Sequence, residues 1–70
     1  MEYLMDYLKK AIINYKATEF LQMLSDYELR CLYEDVIEQP LIGENAICYD
    51  VIMTEITYRF QEASLAGKTR

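Results

Sequence analysis

From Asn45 to about Ala63 the chain is apolar around most of a helical circumference. Ile47, Cys48, Tyr49, Val51, Ile52, Met53, Ile56, Tyr58 and Phe60 leave a polar strip only at Asp50, Thr54, Thr57 and Gln61. A helix apolar on more than one side needs neighbours on more than one side. The whole chain has 70 residues, and a domain of that size buries only about 60% of the surface its unfolded chain exposes. Two or three short companion helices are too few to cover the last one, so part of it, with Tyr49, Met53, Ile56 and Phe60 as candidates, is expected to face another chain. Oligomerisation or docking on a partner is then the remaining source of stability. Cys31 and Cys48 both lie inside apolar helical patterns rather than in a loop-rich framework, and are read as free, buried thiols in a reducing compartment. No basic segment followed by an apolar one opens the chain, and Asp6, Lys9, Asp50 and Glu55 interrupt the apolar runs. These runs fall well short of the ~18–20 residues that span a bilayer, so a cytoplasmic protein with no membrane contact is expected.

Three further segments carry helical periodicity. Met1, Leu4, Met5, Leu8, Ala11, Ile12 and Tyr15 make one stripe at i, i+3, i+4, i+7 spacing. Around Lys16 to Thr18 the phase changes: Phe20, Leu21, Met23 and Leu24 follow another face, and Thr18 can serve as an N-cap. Either a short second helix or a kinked continuation of the first fits. Ser25 is followed three residues later by Glu28, the spacing of a capping box, and Leu24 and Leu29 are placed as its hydrophobic staple. Asp26 and Glu28 suit the positive end of the helix dipole. Leu29, Leu32, Tyr33, Val36 and Ile37 supply the buried stripe of this helix, and Pro40 ends it near Glu38 or Gln39. The turn spans Gln39 to Asn45, with Asn45 as candidate N-cap of the last helix. Period-2 alternation is missing, so no sheet is expected. The fold predicted is an all-α bundle of three or four helices, roughly 2–16, 18–24, 25–39 and 45–64, with the last one central. Residues 1–65 form a single domain and 66–70 a flexible polar tail. The helices 25–39 and 45–64 should pack antiparallel through Leu29, Leu32, Val36, Ile52, Ile56 and Phe60.

The chemistry-bearing residues are chiefly informative by what they exclude. Histidine is absent and the two cysteines stand alone, which removes the commonest general base and any zinc motif. Gly43 and Gly67 belong to no phosphate-binding loop. Glu34 and Glu38 sit at i, i+4 beside Asp35, but without the alternating acidic loop and glycine of a calcium site. No catalytic residue, metal or cofactor is expected, and the chain is read as not being an enzyme. The net charge is −5, and Asp26, Glu28, Glu34, Asp35, Glu38 and Glu44 are relieved only by Arg30. A field of that sign repels phosphate, which argues against direct nucleic-acid binding and for a basic partner surface; the simpler reading is a solvated face that keeps the protein soluble. Seven tyrosines are many for this length. Tyr3, Tyr7, Tyr27 and Tyr58 lie off the apolar stripes and are either exposed contacts or the edges of a small core.

The run Leu24-Ser25-Asp26-Tyr27-Glu28-Leu29, followed by Leu32-Tyr33, resembles the third-helix start of Hha/YmoA-type modulators, small helical proteins that act with the nucleoid protein H-NS. Glu2-Tyr3-Leu4-Met5 is similar to the opening of that family's first helix. The same run also resembles the hairpin start of Sda-type sporulation kinase inhibitors, with Glu55-Ile56 and Arg59 near the matching end of the second helix. Both resemblances imply regulation by binding a protein. The function expected is therefore a small acidic regulator or inhibitory adaptor working through helix–helix contacts, as a homodimer or in complex with a larger protein. Its partner would carry a basic or apolar helical surface, met by Glu34, Asp35, Glu38, Tyr27 and Tyr58. The alternatives are a secretion-type chaperone that shields a client helix and an acidic mimic of nucleic acid.

Overall fold

The structure, a computed structural model, describes the backbone of residues 2–68 and the side chains of residues 4–62. It contains four helices, α1 (Glu2–Ile13), α2 (Ala17–Gln22), α3 (Asp26–Ile37) and α4 (Glu44–Lys68), and no strand among the described residues. The protein is an all-α bundle in which α4 touches each of the other three helices.

The α1 stripe ends earlier than its periodicity suggests. Tyr15 adopts φ 58°, and the amides of Tyr15 and Lys16 donate to the carbonyls of Ile12 and Ala11 at 3.1 and 2.7 Å. This is a Schellman ending, a place where glycine is usual because a left-handed residue suffers no Cβ clash there. Tyr15, expected on the buried stripe, is therefore turned out and 96% exposed. The turn at residues 14–16 separates α1 from α2, so this part of the chain is two helices rather than one kinked helix. Lys16, not Thr18, stands at the N-cap of α2, and no side chain caps that end. The helix is held from elsewhere: Leu21 is buried, while Met23, counted with its apolar face, is exposed.

The capping box of α3 forms as expected. The Ser25 hydroxyl accepts from the Glu28 amide at 3.1 Å, and the Glu28 carboxylate accepts from the Ser25 amide at 2.9 Å. Asn45 does not cap α4, which already begins at Glu44; Gly43 precedes it with φ 59°, and its carbonyl accepts from the Ala46 and Ile47 amides. The Asn45 side chain instead reaches back to α3, donating to the carbonyls of Val36 and Pro40 at 3.0 and 2.9 Å. It satisfies the acceptors left over where α3 stops. Through Gly67, α4 runs on to Lys68; of the expected tail, residues 69–70 lie outside the described residues.

Among the described residues, seven form the core: Leu8, Leu21, Leu29, Leu32, Val36, Cys48 and Ile52. Phe60, expected in the α3–α4 contact, is not among them and is 74% exposed. Its place is taken by a polar node. Arg59, one position earlier on α4, donates to Glu55 Oε2 at 2.7 Å and Asp26 Oδ1 at 2.7 Å, and to the carbonyls of Leu21 and Leu24 at 2.9 and 2.8 Å. A guanidinium is the one side chain that can serve two carboxylates and two carbonyls at once. It closes the C-terminal end of α2 and ties it to the start of α3. Glu55 is the one buried charged side chain among the described residues, and this pairing is what makes its burial tolerable.

Candidate partner-binding face

Successive residues of a helix turn by about 100°, and α4 carries two lengthwise seams offset by one position. The inner one, Asn45, Cys48, Ile52, Glu55 and Arg59, faces the other three helices and contains the α4 residues that are buried among those described. The outer one, Ala46, Tyr49, Met53, Ile56 and Phe60, repeats at alternating spacings of three and four and carries no charge. Its first four members are half-buried, Tyr49 and Ile56 against the core, and Phe60 is open. The four residues expected from sequence to face another chain, Tyr49, Met53, Ile56 and Phe60, are thus brought together on one flank of α4.

That flank continues onto α3. Tyr33 lies against Tyr49, the ring centroids 6.4 Å apart and tilted by 35°. Ile37, one turn along from Tyr33, is exposed rather than buried as its stripe predicts. At the other end an open groove of about 360 Å³ is lined by Leu29, Tyr33, Ile56 and Phe60, with Asp26, Arg30 and Arg59 at its rim. The result is an apolar band along the α3–α4 seam.

The acidic candidates occupy a different strip. Glu34 and Glu38 are exposed and Asp35 is half-buried on the outer side of α3. Arg30 pairs with Glu34 at 3.4 Å and separates this strip from the apolar band. By helical register Tyr27 and Cys31 join the acids. Hydrogen bonding to the Cys31 side chain, helped by the charge of Cys31 and of Glu34, lifts the Tyr27 phenol above its ordinary value. Tyr58 stands apart, on the α2 side of α4, where hydrogen bonding to Glu62 raises its phenol in the same way. The five residues proposed to meet a partner are split between two helices: four share the α3 strip, and Tyr58 lies on α4 in a groove with Gln22, Asp26 and Glu62.

Sequence reasoning did not find Arg59 as the organising cation, because its four partners come from three separate segments. Among the described residues no group of three potential ligands is arranged to hold a metal ion, and no helix is long and apolar enough to cross a membrane. Comparison of the chain with protein-family models, with curated proteins and with solved structures finds no match.

Proposed function

We propose that this chain is a small acidic regulator or inhibitory adaptor of the cytoplasm that binds protein through helix–helix contacts, as a homodimer or in complex with a larger protein. The observation that carries the reading is the uncharged outer seam of α4, ending on an exposed Phe60 in a chain of net charge −5. Such a molecule has charge to spare for its surface, and a contiguous apolar band edged by charged residues is the form that protein contact surfaces take. The strip of Glu34, Asp35, Glu38 and Tyr27 supplies a second face, suited to a basic partner surface.

The test is photo-crosslinking in cells that make the protein. A photoreactive residue in place of Phe60 is expected to give one discrete adduct, with a second copy or with one other protein, that the same residue in place of Thr18 does not. Equal, diffuse labelling from both positions would sink the reading.

A further inference from the structure

We infer that α2 is a lid: residues 17–24 open as one unit from an otherwise intact body of α1, α3 and α4, and Arg59 is the latch that holds them shut. The inference does not depend on what meets the α3–α4 band.

Both neighbours of α2 close their own ends. The amides of Tyr15 and Lys16 finish α1 by donating to the carbonyls of Ile12 and Ala11. The capping box between Ser25 and Glu28 opens α3 with residues of α3's own first turn. Residues 17–24 can therefore leave without orphaning a backbone group of either helix at the junction.

The segment itself has few holdings. It has no side-chain cap, and Leu21 is its one buried residue, in the core shared with Leu8 and Ile52. Ala17, Phe20 and Leu24 are half-buried against that core, while Thr18, Glu19, Gln22 and Met23 are exposed. Segments with few buried apolar contacts are the ones that open below the free energy of global unfolding.

What ties the segment down from outside is a single side chain acting on its backbone. Arg59 donates to the carbonyls of Leu21 and Leu24 at 2.9 and 2.8 Å. It lies on an open groove of about 650 Å³ that Gln22, Leu24, Ser25 and Glu55 also line. When the two bonds break, water can take over both carbonyls, and Arg59 keeps Glu55 and Asp26. The buried carboxylate is thus never left without its cation, which removes the largest electrostatic cost of opening. In the open state the space between α1 and α4 that Leu21 fills is free, so the fold carries a closed apolar slot beneath α2.

Amide hydrogen exchange of the full chain, followed residue by residue by NMR, tests this. The amides of Phe20, Met23 and Leu24 are all bonded in the closed state. They should share one protection factor at least tenfold below that of Leu32, Val36 and Ile52, with less than about half the urea dependence, because the opening exposes only part of the buried surface. Ser25→Ala removes the cap of α3, which stays folded when the lid is open. It should lower the protection of Leu32 and Val36 about fivefold and leave that of Phe20, Met23 and Leu24 unchanged. Arg59→Met should lower protection at Phe20, Met23 and Leu24 by at least about tenfold. Should that variant not fold, Arg59→Lys, which keeps the charge and loses the fork, should give a smaller loss at the same amides. Equal protection and equal urea dependence across α2, α3 and α4 overturn the lid, as does a loss at Phe20, Met23 and Leu24 in Ser25→Ala equal to that at Leu32. Exchange in α2 that is indifferent to the Arg59 variants overturns the latch.

Discussion

Tyr15 and Cys48 show how much single side chains here answer to the backbone and to burial. Tyr15 is the one non-glycine residue with positive φ among the described residues, and a left-handed conformation costs an L-residue roughly 1–2 kcal/mol. Its ring is almost wholly exposed and returns little of that cost. Tyr15→Gly should therefore raise stability by about 1 kcal/mol after allowing for the greater freedom of glycine in the unfolded chain, as urea unfolding would show. Cys48 is fully buried, and burial pushes its thiol above the ordinary value of 9.0, with Lys9 opposing the shift. In the unfolded chain the thiol ionises at its ordinary value while the native state keeps its proton, so unfolding releases protons. The stability tied to this group is full below that value and declines as pH rises beyond it. Between about pH 8 and about pH 10 the urea midpoint should fall further in the unmodified protein than in Cys48→Ala. Equal falls would mean that other groups carry the alkaline loss.

Among the helices, α2 depends most on its neighbours. It has six residues and no side-chain cap, and a helix that short does not persist alone in water. Arg59 holds the carbonyl of Leu21 in α2 and that of Leu24 just beyond it, neutralises the buried Glu55 and pins Asp26. Arg59→Met keeps much of the side chain's volume while taking their guanidinium partner from two carboxylates, one of them buried, and two carbonyls, and should cost about 2–4 kcal/mol. Arg59→Lys should recover only part of this, because an ammonium cannot reach four acceptors placed around a planar fork. Chemical denaturation of both variants checks the ranking. A lysine variant as stable as the unmodified protein would mean that charge alone, and not the fork, holds the corner.

For the molecule as a whole, the core is small and lies on one side of α4. Ile52 is fully buried in it, whereas Phe60 stands beyond its edge. Ile52→Ala should cost about 2–5 kcal/mol, and Phe60→Ala should change monomer stability by no more than about 0.5 kcal/mol. Thermal melts at low concentration separate the two. A large loss from Phe60→Ala under those conditions would place the ring inside the fold and remove the exposed anchor from the binding surface.

The elements that depend on neighbours in the chain were legible from their residues. Ser25, Glu28, Leu24 and Leu29 lie within one turn of each other, so their spacing specifies the start of α3, and Pro40 specifies its end. The apolar flank of α4 could also be read, since Tyr49, Met53, Ile56 and Phe60 share a side of any regular helix whatever surrounds it. Other features were set by contacts between segments far apart in the chain. Asn45 looks like an N-cap locally, but α3 ends within its reach with unsatisfied carbonyls, and the longer-range bonds win. Phe60 has the character of a core residue, yet a three-helix cradle closes over only one side of α4, and Arg59 occupies the corner beside Asp26. Local spacing decides which residues share a face; which of those faces is buried is decided by how many helices are available to cover it.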